Sequence, residues 1–293
     1  MENNIAVTGA EGFIGSWLSK YLSIPREKRF DILTDGDICD RNVQREIVKS
    51  KVIVHLAAVS GVKLCEQNLE KTFKNNVTGT IELANLAKVS GVKRFIFASS
   101  SSVYGEVSAF VMDESHPVNP RTAYGKSKLR AEEILALADE NFEVVVLRKS
   151  NVYGWGYHWK STVIDNFISK YLGREPIKIT GTGMQKRNFV DLMDVVNLYG
   201  LIARRDRVRS GVYNVGGFET VTVAHISMQV NEVGNRIFGY TVPIEATPGE
   251  KLQNEWHDFK YDFSKAQMEF QFMPYFMIDD HIKARLMKAM RQA

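Results

Sequence analysis

The stretch VTGAEGFIG, residues 7–15, decides the fold. It continues a short β-rich run, IAVTG (5–9), and opens FIGSWLSKYL, whose apolar residues recur with helical spacing. Gly9, Gly12 and Gly15 therefore stand where a strand hands over to a helix. The first glycine allows the tight turn, the second lets backbone approach a pyrophosphate, and the third lets the helix pack close to the sheet. Phosphates would settle on the N–H groups of the helix start, around Phe13 and Ile14, where the dipole favours anions. A glycine-rich turn without a ligand is the plainer reading, since a lone triplet is weak evidence.

The surroundings favour the ligand. RFDILTD (29–35) reads as a strand, NVQREIVKS (42–50) as a helix, KVIVHLAAV (51–59) as an apolar strand and residues 70–91 as a long helix. KRFIFASSS (93–101), residues 121–141 and FEVVVLRKS (142–150) continue as strand, helix, strand. Strands alternating with helices argue for an α/β, Rossmann-type doubly wound parallel sheet covered on both faces. After Gly154 the texture changes. KITGTGMQKRNFVD (178–191) and VYNVGGFETVTV (212–223) read as strand, glycine turn, strand. The expected division is a dinucleotide-binding domain over 1–153 plus about 188–217, with a smaller interleaved substrate-binding part over 154–187 and 218–293.

An acid about 20 residues past the glycines would hold an adenosine ribose. Asp35 has that spacing, and Asp37 and Ile38 follow. A carboxylate there repels the 2′-phosphate of NADP and favours NAD, although Arg26, Lys28 and Arg29 keep NADP open.

Composition excludes several classes. With 293 residues, 44% of them hydrophobic, the chain can bury a full core. A net charge of +4 is too mild for a dedicated nucleic-acid binder, and the basic run at 203–211 reads as a solvated helix end. Two cysteines, Cys39 and Cys65, build no disulfide scaffold and point to a reducing cytoplasm. The six histidines show no metal-ligand spacing. No apolar run suits a membrane span and no signal-peptide layout is present.

TAYGKSK (122–128) places Tyr124 and Lys128 one helical turn apart. A surface pair is the bland reading. The sharper one is that the ammonium lowers the phenol from its usual pKa of ~10 and makes it a base.

TGAEGFIG, GDICD, HLAA, NNVTGT, ASSSSVYG and YGKSK stand in one order along the chain, with LRKSNVYGWG, YNVGG and YDFSKA beyond. Together they resemble the extended short-chain dehydrogenase/reductases of the NAD-dependent sugar-nucleotide epimerase/dehydratase type. The resemblance implies an active site between the two parts, a nucleotide-sugar substrate, in particular a UDP-sugar, and a homodimer. It makes Tyr124 the acid/base, Lys128 its partner on the nicotinamide ribose, and Ser100 the third member, with Ser101 beside it on the substrate. Leu56, Ala57, Ala58 and Ala98 would line the cofactor, with Asn76 near the active site. Asn151 and Arg187 correspond to contacts with the substrate diphosphate. Trp155, Tyr157, Trp159 and Phe259 could shape the sugar pocket, or simply pack.

Two departures stand out. The segment between the second strand and GDI is much shorter than the family pattern, so a strand has merged or been lost. Thr247 replaces an arginine that many relatives place before such a PG turn, with Lys251 as a substitute charge. Members that dehydrate their sugar carry an Asp–Glu pair after the catalytic Ser/Thr; Ser101 and Ser102 stand there instead. The resemblance therefore implies a 4-epimerase working through a 4-keto intermediate. A nucleotide-sugar ketoreductase is the alternative, with a dehydratase or a non-catalytic NAD-binding protein behind it.

Overall fold

The computed structural model describes residues 4–105, 110–135, 141–155, 162–248 and 259–292. Tyr157, Trp159 and Lys251 lie outside the described residues.

The strands are β1 (Ile5–Thr8), β2 (Arg29–Phe30), β3 (Val52–His55), β4 (Arg94–Ser100), β5 (Val111–Met112), β6 (Glu143–Lys149), β7 (Asn151–Tyr153), β8 (Ile177–Thr180), β9 (Lys186–Asp191), β10 (Gly211–Val215), β11 (Thr220–Thr222), β12 (Ile244–Thr247) and β13 (Lys260–Tyr261). The helices are α1 (Phe13–Tyr21), α2 (Arg41–Ile47), α3 (Val62–Gln67), α4 (Leu69–Phe73), α5 (Thr80–Val89), α6 (Ala123–Leu135), α7 (Val163–Leu172), α8 (Leu192–Arg204), α9 (Val223–Phe238), α10 (Ser264–Phe270) and α11 (Ile278–Gln292).

Six parallel strands form the main sheet in the order β10-β6-β4-β3-β1-β2. The chain leaves β1 toward one edge and returns on its other side with β3. That reversal opens a crevice at the carboxyl ends of β1 and β3, where α/β sheets bind ligands.

The strand pleat explains the double burial. Ile5 and Val7 join Val54, Ile96 and Leu147 against Leu18 of α1 and Val195 of α8. Ala6, Ile53, Phe95 and Val146 face the other way, against Ile47 of α2, Leu83 of α5 and Ala131 of α6. Each fully buried side chain of this kind contributes ~1.5–3 kcal/mol. A third cluster gathers Tyr153, Phe167, Ile177, Phe189, Val230 and Ile282 from β7, α7, β8, β9, α9 and α11. The smaller sheets are β11-β9-β7 and the pairs β12-β8 and β13-β5.

One expectation fails in a useful way. The strand expected over 29–35 stops at Phe30. The Asp31 carboxylate accepts the Leu33 N–H at 3.1 Å. The Asp31 carbonyl accepts from the Thr34 and Asp35 N–H groups. Those bonds close a turn after Phe30. One two-residue edge strand leads by a single loop into α2. Among the described residues no helix is long and apolar enough to cross a membrane.

Candidate active site

The glycine loop is built as its spacing implies. Gly9 has φ +67°, and a side chain on it would stand 2.8 Å from the Ala57 nitrogen. A Cβ on Gly15 would lie 2.0 Å from the Gly9 carbonyl, so α1 packs as close as a glycine permits. The Gly12 N–H donates to the Gly9 carbonyl at 3.0 Å and the Ser16 N–H to Gly12 at 3.0 Å. No side chain caps α1 and no acid occupies its first turn, which leaves that helix start suited to an anion. Beneath the loop, Thr8 Oγ1 accepts from the Ala57 N–H and meets His55 Nδ1 at 2.7 Å, while His55 Nε2 meets Thr80 Oγ1 at 2.9 Å. Burial, and then the Lys128 charge, push His55 down to about 3, so it stays neutral.

A cavity of about 960 Å³ runs from this loop across the carboxyl ends of the strands. Gly9, Gly12, Phe13, Ile14, Gly15, Ile38, Leu56, Ala57, Ala58, Ala98, Ser100, Tyr124, Lys128 and Asn151 all line it.

The expected acids lie off the cavity lining at the adenosine end. Asp35 and Asp37 do not line the cavity. The Asp35 carboxylate is engaged by the Arg26 guanidinium at 3.0 Å, the Asp31 N–H at 3.0 Å and the Thr34 hydroxyl at 2.5 Å. Burial works against its charge, but these bonds hold the carboxyl below its usual range. Asp37 accepts the Cys39 N–H and the Asn75 amide. Glu11 and Asp31 do line the cavity, and Asp31 follows β2 directly with Oδ2 on the Glu11 N–H at 3.0 Å. Spacing pointed to Asp35 because it assumed a longer strand; Asp31 directly follows the arginine and phenylalanine that form it.

At the other end, Ser100, Tyr124 and Lys128 share one wall. Ser100 ends β4, and its hydroxyl accepts the Ser102 N–H at 3.1 Å and donates to Ser102 Oγ at 3.0 Å. Tyr124 and Lys128 lie in the first turns of α6. Thr122 accepts the Gly125 N–H at 3.1 Å and Glu66 accepts the Ala123 N–H at 2.7 Å, so both cap the helix. A Cβ on Gly125 would stand 2.6 Å from the Ser102 carbonyl, and this close approach sets Tyr124 beside Ser100.

Burial, then the Cys65 thiol, push Tyr124 up to about 12, against a hydrogen bond with Ser100 that lowers it. The buried Lys128 ammonium lies over the Phe97 ring, 4.8 Å from its centroid, and 5.8 Å from the centroid of the Tyr124 ring.

Other expected residues fall outside the cavity lining. Ser101 begins the short turn after β4, and Asn76 is fully buried behind the wall. Asn76 lies in a π-helical turn, Lys74–Gly79, a conformation frequent at functional sites. Its amide brackets Val59, accepting the N–H at 2.8 Å and donating to the carbonyl at 2.9 Å, and reaches Ser127 Oγ at 3.1 Å. Arg187 is exposed on β9, its guanidinium on the Lys186 carbonyl. Arg187 does not line the cavity, whereas Phe189, two residues on along the same strand, does. Asn151 lines the cavity and donates to the Asn188 carbonyl at 3.0 Å. Trp155 lies under the Arg285 and Lys288 cations, and Phe259 packs with Tyr104 and Tyr261; neither lines the cavity. Thr247 binds the Ile179 carbonyl.

Lys149, Ser150 and Thr162 also line the cavity, and none of them was singled out from the sequence as a site residue. Among the described residues the carboxylates on the lining are Glu11 and Asp31, both at the glycine-loop end, and no cluster suits a metal ion.

The family model described as the NAD dependent epimerase/dehydratase family matches residues 5–216. The chain belongs to this family. Within it, the chain is 33% identical to a putative UDP-glucose 4-epimerase of Methanocaldococcus jannaschii, over 79% of this chain and 83% of that one. It is 30% identical to a dTDP-D-glucose 4,6-dehydratase of Mus musculus over 80% of its own length, and spans 64% of the length of that relative. The solved structure of MoeE5 in complex with UDP-glucuronic acid and NAD superposes with a TM-score of 0.83 at 28% identity, covering 99% of this chain and 100% of that one. The chain shares its Rossmann-type fold with that structure over nearly its whole length.

Proposed function

We propose that the chain is an NAD-dependent nucleotide-sugar 4-epimerase acting on a UDP-sugar. The observation that carries the choice within the family is the lining of the reactive end. Hydroxyls, a phenol and two ammonium groups stand there, and no carboxyl group does among the described residues. Expelling water from C5–C6 of a sugar needs a second acid and base. Ser102, which lines the cavity, can supply neither, and this weighs against dehydration despite the resemblance to the mouse enzyme.

The residues fit the cofactor. The close-packed glycines and uncapped α1 start would hold the pyrophosphate, Asp31 the adenosine ribose, and Ile38 and Ala98 would lie along it. When bound, NAD accepts a hydride from sugar C4 and returns it, and its positively charged ring would bring the Tyr124 phenol down toward neutrality. Tyr124 takes the C4 hydroxyl proton and gives it back, Ser100 hydrogen-bonds the same oxygen, and Lys128 stabilises the phenolate. The 4-keto sugar turns over in the cavity before the hydride returns to its other face.

The test is to denature purified protein and identify released cofactor, then incubate native protein with UDP-glucose, UDP-N-acetylglucosamine and UDP-glucuronate. Retained NAD and a 4-epimer are expected, with turnover falling on the order of 10²–10⁴-fold in Tyr124→Phe. Consumption of added NADPH with a 4-keto sugar nucleotide, and no epimer, would make it a reductase instead.

A further inference from the structure

The cavity holds a second buried cation that the proposed mechanism leaves without a role. Lys149 ends β6, directly beside Ser100 in the sheet register. It is 8% exposed, yet lines the cavity. Its ammonium donates to the Ser99 carbonyl at 2.9 Å and to the Tyr199 hydroxyl at 3.3 Å. Tyr199, from α8, is fully buried and lies near enough to Tyr124 for the two phenols to feel each other's charge. Two hydrogen bonds from different elements therefore fix a positive charge at the reactive end. Beside it, the buried Ser150 hydroxyl also lines the cavity and finds no partner among the described residues.

The consequence rests on the epimerase reading. Hydride transfer requires the nicotinamide carbon to touch the sugar carbon whose hydroxyl Tyr124 holds. Ala98, Ser100, Tyr124 and Lys149 line the end of the cavity that would then hold the nicotinamide. On transfer, the sugar C4–H bond breaks with its electron pair, and a C–H bond forms on the ring carbon. The alcohol becomes a ketone, NAD⁺ becomes NADH, and the hydroxyl proton goes to Tyr124. The ring loses its positive charge in this step, so a fixed cation nearby favours the reduced form.

We propose that Lys149 tunes the redox balance of the bound nicotinamide, by placing a fixed ammonium where the ring loses its positive charge. Such a residue eases the first hydride transfer and keeps reduced cofactor bound while the keto sugar turns.

The test compares NAD⁺ and NADH binding to apoprotein of the wild type, Lys149→Met, Lys149→Arg and Tyr199→Phe, by protein fluorescence and without substrate. Methionine keeps most of the stem and removes the charge. The ratio of NADH to NAD⁺ affinity is expected to fall about tenfold in Lys149→Met. It should be largely kept in Lys149→Arg and fall partway in Tyr199→Phe, which loosens the ammonium. Parallel weakening of both forms in Lys149→Met would show a merely structural lysine and overturn the proposal while leaving the epimerase reading intact. Failure of the wild type to bind either form would overturn both.

Discussion

At the residue scale, the two candidate ribose acids show how little separates a ligand from a brace. Asp31 faces the cavity from the end of β2, while Asp35 lies four residues on and braces the turn through Arg26 and Thr34. Asp31→Asn should weaken NAD binding about tenfold or more, measured by calorimetry on apoprotein, since a charged acceptor is lost from a ribose diol. Asp35→Asn should leave that affinity within about twofold. The glycine loop, the Tyr124–Lys128 pair and Ser100 were legible because each is a local pattern. The place of Asp31 on the lining was not, because it depends on where a strand ends, and Asp31 itself ends it. Lys149 was equally opaque: nothing in LRKSN announces that the lysine amine turns to Ser99 and Tyr199.

At the scale of elements, β6 and α6 are joined by charge as well as by apolar packing. Arg148 places its guanidinium on both oxygens of Glu132, at 2.7 to 3.2 Å, and Ser99 donates to the same carboxylate. Both partners are nearly inaccessible, at 8% and 4% side-chain exposure. Glu132→Gln leaves a buried guanidinium without its counter-charge, which costs about 3–5 kcal/mol. The neighbouring pair Arg130–Glu133 is exposed on the same helix, and Glu133→Gln should cost under ~0.5 kcal/mol. Urea denaturation of the two variants checks the contrast; equal midpoints would show that Glu132 is not holding the two elements together. The order of strands and helices was readable from periodicity, since parallel strands buried on both faces read as apolar runs. This charged seam was not, because it joins residues 16 apart through a helix and a strand whose facing sides only the packing fixes.

At the scale of the whole molecule, buried carboxylates fasten the C-terminal segment to the rest. Asp194 accepts the Tyr275 and Phe276 N–H groups, Glu219 that of Ile278, and Asp165 meets His281 and Arg285. Asp191, beside them, caps α8 through the Met193 N–H at 2.7 Å. Burial, and the nearby Asp194 and Asp165 charges, raise it to about 6, against the Met193 bond and the His281 charge. An acid raised in the fold stabilises it fully below the unfolded pKa of ~4, and that stability is lost as pH rises through about 6. Asp191→Asn keeps the cap without the charge. It should match the wild type near pH 4 and exceed it at pH 8 by on the order of 1–3 kcal/mol. Melting temperatures across pH read this directly, and a constant difference would refute it.

The Asn76 clasp has a consequence for turnover. One amide ties the Val59 loop, which borders the cavity, to the helix that carries Tyr124 and Lys128. Groove wall and reacting groups are thus one rigid piece, and the entropy of bringing them together is lost once, when the chain folds. A substrate entering the groove therefore meets a frame that is already assembled, and little of its binding free energy is spent on ordering the protein.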